Sequence, residues 1–310
     1  MLCGRPHWGA IRKKKMYELN QLSRNCYYIE SPAKIGIIKI NEKDVCLIDS
    51  GSDKDAGRKV RQHLDANNWN LTEIYNTHSN ADHIGGNEYL QNQTNCKIYA
   101  PGIECDFTRH PILEPSFLYG GYPFAELRHK FLLAKESNVF FLTEDVLPQN
   151  VSLIPLPGHF FDMVGFKVAD EGKMVAYIAD CLSSKATLQK YQIGFIYDIA
   201  KYLETLEKIK TIEADVFVPA HAEPTENIVP LAQINIDKVN EIASQILGFC
   251  KEPVCFEILL QKLFSHYSLS MNAQQYVLVG STVRSYLSWL KECGKMEIIF
   301  ENNMLLWKSL

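Results

Sequence analysis

A chain of 310 residues, 46% hydrophobic and 22% charged, has the length and composition of one large globular domain, or of a large one plus a small one. Its net charge of −4 offers no basic field to a nucleic acid or an anionic membrane surface, and no apolar run approaches the roughly 20 residues that span a bilayer. The nine cysteines are an odd, unpatterned set, which points to reduced thiols in a cytoplasmic setting and not to a disulfide framework.

Residues 1–15 include Arg12-Lys13-Lys14-Lys15 with no apolar stretch behind them, so they read as a disordered leader and not as a secretory signal. Short β-branched and aromatic runs at 26–30, 35–40 and 45–48, parted by turn residues, predict an antiparallel meander. Asp49-Ser50-Gly51-Ser52 then ends a strand, and Val60 and Leu64 at i, i+4 spacing predict an amphipathic helix over 54–67. A buried strand at 71–76 leads into Thr77-His78; a short helix follows Gly85-Gly86-Asn87, and a strand covers 97–100. The segment 101–138 is rich in Pro, Gly and aromatics without a clear period, so it is expected to be an irregular insertion near the active site. Strands at 151–154, 163–168, 174–178 and 216–218, with a helix over 198–209, complete a strand–helix alternation that fits a layered α/β protein. Beyond residue 227 the pattern turns helical, at 228–250, 254–266, 273–278 and 280–292, and closes with a hairpin at 296–300 and 304–308. Helices followed by a hairpin predict a small winged-helix-like C-terminal domain over 227–310, after a catalytic domain over 16–226.

The chemistry concentrates where strands stop. His78, Asp82 and His83 leave one strand in a single turn, and imidazole nitrogen with carboxylate oxygen suits zinc, and also manganese or iron. An exposed polar loop is the competing reading of that hexapeptide alone. His159 follows the strand at 151–154, Asp180 follows the strand at 174–178, and His221 follows the strand at 216–218. Every candidate thus sits at the end of an apolar strand, where all can converge on one sheet edge. His7, His63, His110, His129 and His266 lie outside this pattern and read as bystanders. Cys181 beside Asp180 reads as a small buried residue at a strand end.

In order and local context these segments resemble the metallo-β-lactamase superfamily, above all its glyoxalase II-like hydrolase branch. Asp49 matches the first motif; His78-x-Asn80-x-Asp82-His83, followed by Gly85-Gly86-Asn87, matches the His-x-His-x-Asp-His signature; Gly158-His159, Asp180 and His221 match the remaining three. The resemblance covers about residues 16–224 and implies an αββα sandwich with one or two metal ions, zinc above all, at one edge of its sheets. It implies that His78 and His159 bind a first metal, Asp82, His83 and His221 a second, and that Asp180 bridges the two. Asp49 would hold the histidine loop in place from behind; from the residues alone it could equally cap the helix at 54–67. The departure is Asn80, which stands where the superfamily has its second histidine, and an amide oxygen is the weaker zinc ligand. Asn80 would ligate weakly, yield to a water, or leave only the Asp82/His83/His221 site filled; loss of catalysis is the fourth outcome.

The activity implied is hydrolysis of a small ester or thioester by a metal-bound hydroxide, with Asp82 orienting the nucleophile. Two alternatives stay open: a nuclease of single-stranded RNA or DNA, and a non-enzymatic metal-binding or sensing protein with a degenerate site. Arg284, Lys291, Lys295 and Lys308 are nearly offset by Glu292, Glu297 and Glu301, so the C-terminal segment is expected to be a packing or homodimerisation module and not a nucleic-acid reader. β-Lactam hydrolysis is not expected, because no export signal is seen.

Overall fold

The computed structural model describes residues 15–310; residues 1–14 of the expected leader, His7 included, lie outside the described residues. The β-branched runs build two sheets. The first holds β1 (Leu19–Gln21), β2 (Cys26–Ile29), β3 (Ile35–Lys39), β4 (Asp44–Ile48), β5 (Asn70–Tyr75), β6 (Lys97–Ala100) and β7 (Val139–Phe141), in that spatial order. The second holds β8 (Val151–Pro155), β9 (Val164–Asp170), β10 (Lys173–Tyr177) and β11 (Val216–Val218), in the reverse spatial order.

Successive strand residues face opposite sides, and the sequence uses both sides of the first sheet. Ile38, Ile48 and Tyr75 point inward to meet Phe166, Val175 and Val218 of the second sheet. Their neighbours Ile37, Leu47 and Ile74 point outward and bury Val60 and Leu64 of helix α1 (Lys54–Asn67), a contact of roughly 2 kcal/mol per side chain. The outer face of the second sheet is covered by Tyr202, Leu206 and Ile209 of a later helix, residues Ile199–Ile209, packed on Ile154, Ala176 and Ile178. The layers are therefore helix, sheet, sheet, helix.

Strand direction sets where the chemistry lies. β4 and β5 run parallel, so their C-terminal ends, just before Asp49 and Thr77, share an edge. β10 and β11 are parallel as well, and β8 and β10 are each antiparallel to β9, so the exits toward His159, Asp180 and His221 share an edge of the second sheet. Val164 N–H donates to the Thr77 carbonyl at 3.0 Å and Lys34 N–H to the Ala220 carbonyl at 3.1 Å, which ties the two edges together.

The remaining helices are α2 (Ala81–Ile84), α3 (Asn87–Thr94), α4 (Glu104–Arg109), α5 (Leu113–Tyr119), α6 (Lys185–Tyr191), α7 (the Ile199–Ile209 helix above), α8 (Val229–Phe249), α9 (Phe256–His266) and α10 (Ala273–Glu292). The segment 101–138 is not irregular throughout, because it contains α4, α5 and a 3-10 turn at Ala125–Leu127. Pro115 hides α5 from a sequence reading, yet it lies in the first turn, where its missing N–H costs nothing, and Gly120 in the left-handed region ends the helix. The expected break at residue 279 is absent: Gly280 lies within the continuous α10. Val254 and Cys255 form strand β12 on the terminal hairpin, so α9 starts two residues later than its apolar pattern predicts. The hairpin strands are β13 (Met296–Glu301) and β14 (Met304–Ser309), in a small sheet of order β12-β14-β13. Val283, Tyr286 and Leu290 of α10 belong to the same buried cluster as Leu206 of α7, so apolar packing is continuous from the second sheet into the C-terminal helices.

Candidate metal centre

The turn after β5 carries His78, Asn80, Asp82 and His83 into one short helix, α2, with Asn80 at its N-cap position. Gly85 and Gly86 allow that helix to lie on the turn after β4. A Cβ at Gly85 would stand 2.3 Å from the Ser52 backbone, and one at Gly86 2.4 Å from the Ser50 carbonyl. Asp49 and Ala179, each at a strand exit, adopt positive φ of 62° and 47°, conformations that cost about 1–3 kcal/mol and concentrate at functional sites. The strained Ala179 leads directly to Asp180. Gly158, at φ +122°, sits where a Cβ would be 2.3 Å from the Tyr202 nitrogen. Its carbonyl accepts from Asp198 N–H at 2.9 Å, and this anchors the His159 turn on the start of α7.

These elements bring His78, His159 and Asp180 together as one group and Asp82, His83 and His221 as another; within each group the candidate ligand atoms lie within 4.8 Å of one another. Asp180 joins the groups: its carboxylate is 3.1 Å from His83 Nε2, 3.5 Å from His159 Nε2 and 3.0 Å from His221 Nε2. Asp82 Oδ2 lies 3.4 Å from His221 Nε2. His63, His110, His129 and His266 belong to neither group.

Hydrogen bonds behind the rings fix which nitrogen turns inward. His83 Nδ1–H donates to Asp49 at 2.7 Å, and His221 Nδ1–H donates to the Pro32 carbonyl at 2.9 Å. Thr77 donates its hydroxyl to Asp49 at 2.8 Å, which leaves its oxygen to accept from His78 Nδ1–H at 2.9 Å. All three rings therefore present Nε2 to the centre. Asp49 also accepts from Thr77 N–H at 2.8 Å, and the cap of α1 is Asp53 instead, so Asp49 does not cap that helix.

His78 Nε2, His83 Nε2 and Asp180 Oδ1 are buried without a hydrogen-bond partner; the 3.1 Å approach of the last two lacks hydrogen-bond alignment. Leaving such atoms unsatisfied costs about 1–3 kcal/mol each, and a divalent cation among them would remove that cost. The donor set fits a metal. Burial holds the His78 imidazole neutral, as a ligand must be, and its neighbour His83 adds to the effect. Burial also disfavours charge on His221, but Asp180 and Asp82 together outweigh it and push its pKa up to about 10, so this ring must release a proton to act as a ligand. Asp82 is held well below the usual carboxylate range: burial opposes ionisation, and the His83 and His221 charges overcome it. Burial, with the Asp180 charge beside it, keeps the Cys181 thiol protonated, and that side chain is fully buried.

Two acids that sequence reasoning missed brace the histidine loop from the insertion. Glu104 of α4 accepts from Ser79 N–H and Oγ–H at 3.1 and 2.5 Å, and from Asp162 N–H at 2.9 Å. Glu114 of α5 accepts from Asn80 Nδ2 at 2.8 Å. Both lie in the segment whose sequence shows no clear period, so no local signal marked either one. Burial raises the Glu104 carboxyl to about pKa 7 despite its three donors. A raised carboxyl pKa favours the protonated fold, so stability is fully present below the unfolded value near 4.5 and is lost as pH rises through 7. In chelator, Glu104→Gln is expected to gain on wild type by roughly 2–3 kcal/mol between pH 5 and pH 8, read from urea unfolding. No change in that difference would mean that Glu104 is already ionised at pH 5.

A helix–sheet–sheet–helix sandwich with imidazoles and carboxylates gathered at its strand ends defines a class of mostly metal-dependent hydrolases. The chain belongs to the metallo-beta-lactamase superfamily, whose profile matches residues 19–221. A beta-lactamase domain protein of Burkholderia ambifaria superposes with a TM-score of 0.73 at 13% identity, covering 97% of this chain and 96% of its own. A metallo-beta-lactamase family protein of Thermus thermophilus does so with a TM-score of 0.69 at 15% identity, covering 90% and 94%. In sequence, the chain is 47% identical over 38 residues to a hydroxyacylglutathione hydrolase of Hyphomonas neptunium, 12% of this chain and 15% of that protein. It is 49% identical over 42 residues to the hydroxyacylglutathione hydrolase of Maricaulis maris, 14% and 16% respectively. These matches span about a sixth of the curated relatives' length.

Proposed function

We propose that this protein is a metal-dependent hydrolase of small esters or thioesters, with His78, His159, Asp180, Asp82, His83 and His221 as its metal ligands. The observation that carries the reading is that His78 Nε2, His83 Nε2 and Asp180 Oδ1 are buried without a hydrogen-bond partner within two adjoining groups of candidate ligands. Zinc fits the nitrogen-rich donor set best, with manganese and iron as the alternatives. When bound, such a cation supplies Lewis acidity that lowers the pKa of water from 15.7 to about 7.

The protein's own residues then account for the rest. Asp82 and His221 are the open side of the cluster, with side chains 37% and 26% exposed, whereas His78 and His83 are sealed behind them. An acyl group approaches from that side. Asp82, on the open side, orients the attacking water and takes up its proton as the water oxygen bonds to the acyl carbon. The bond to the alcohol or thiol breaks, and that proton passes to the leaving group. The short hydroxyacylglutathione hydrolase matches favour a thioester among these substrates. The described cysteines are all free. Among the described residues no helix is long and apolar enough to cross a membrane.

The test is hydrolysis by the metal-loaded protein of a panel holding a hydroxyacyl-glutathione thioester, simple esters, lactones, a β-lactam and a single-stranded RNA. Thioester or ester turnover is expected. Stoichiometric metal with no turnover of any member would sink the hydrolase reading, and cleavage of the RNA alone would reassign it to a nuclease.

A further inference from the structure

Asn80 occupies the position of the superfamily's second histidine, and its surroundings are those of a fixed group. The side chain is buried, Nδ2 donates to Glu114 Oε1 at 2.8 Å, and Oδ1 accepts from His159 Nε2–H at 3.2 Å. With Nδ2 on Glu114 Oε1 and Oδ1 on His159 Nε2, the amide's NH2 is turned away from the cluster and its oxygen toward it. Glu114 is itself buried. The helix that carries it is pinned on two sides: Leu118 packs with Val277 of α10, and Phe117 packs edge-on against Phe160 and Phe161, beside His159.

We infer that Glu114 is a positioning residue that presents the Asn80 amide oxygen to the His78/His159/Asp180 group, giving the two metal subsites unequal affinities. The inference rests on the metal reading above. An amide oxygen is a poorer donor to zinc than an imidazole, so the Asn80 subsite is the weaker one. A free amide would rotate, and its oxygen would spend much of its time elsewhere; the hydrogen bond to Glu114 removes that freedom.

Calorimetric titration of the full chain with Zn2+, paralleled by Co2+ absorption spectra, tests this after stripping with chelator. Wild type is expected to bind in two steps at least about tenfold apart. Glu114→Leu should weaken the weaker step by a further ~10–100-fold and leave the tighter step unchanged. Glu114→Gln retains an accepting oxygen and should stay within about threefold of wild type. Asn80→Ala should weaken the same step, and adding Glu114→Leu to it should cost nothing more, because Glu114 acts through Asn80. Should Glu114→Leu fail to fold, Asn80→Ala decides: loss at the weaker step supports the inference, and no change overturns it. Equal steps in wild type, or a Glu114→Leu effect that is absent or shared by both steps, overturn the inference alone. Wild type that binds no cation overturns the metal reading and this inference with it.

Discussion

Asp180→Ala is expected to strip the protein of most of its metal and to cut hydrolysis by roughly 10³-fold or more, since the Lewis acidity that makes water a nucleophile near neutral pH goes with the cation. Its carboxylate lies between the two groups, 3.0 Å from His221 Nε2, 3.1 Å from His83 Nε2 and 3.5 Å from His159 Nε2. Removing it takes a carboxylate from the His78/His159 group and the neutralising charge from beside His83 and His221. Elemental analysis beside the hydrolysis assay checks the result, with far-ultraviolet circular dichroism to confirm the fold. Wild-type metal content in the alanine variant would show that Asp180 is not a ligand. Intact metal with lost turnover would make it a catalytic group of another kind.

The second large effect is expected at Asp49. Its carboxylate accepts from Thr77 N–H, Thr77 Oγ–H and His83 Nδ1–H, all in the protein interior. Asp49→Ala leaves those three donors without an acceptor and should cost about 3–5 kcal/mol of stability. Asp49→Asn keeps the shape but points an NH2 group at one of the same donors. It should lower metal affinity by about 10–100-fold with a smaller loss of stability, because His83 and, through Thr77, His78 lose their preset orientation. Chemical denaturation in chelator and a metal titration separate the two effects. An asparagine variant that binds metal as tightly as wild type would mean that packing alone aims the histidines.

The four-layer arrangement gives these side chains their leverage. Because β4 and β5 run parallel, as do β10 and β11, the exits of both pairs collect at one rim. Ligands separated by more than a hundred residues therefore need no long loops to meet. Asp49, Gly158 and Ala179, three of the residues with positive φ, lie at those exits.

Much of this could be read from the residues in order. Alternating and continuous apolar runs fix the strands, since the two-residue period of a strand is a local property. His78, Asp82, His83, His159, Asp180 and His221 each stand a few residues past such a run, so their gathering at one rim follows once the strands are placed. Only the tertiary structure shows that 101–138 holds α4 and α5, and that Glu104 and Glu114 grip Ser79 and Asn80 from 25 and 34 residues away. It alone separates the two roles open to Asp49. Whether a carboxylate is solvated or buried depends on what packs over it, here α10 and the aromatic side chains around His159. That packing is set by residues as far off as Val277, about 160 positions beyond Glu114, and a local pattern carries no record of it.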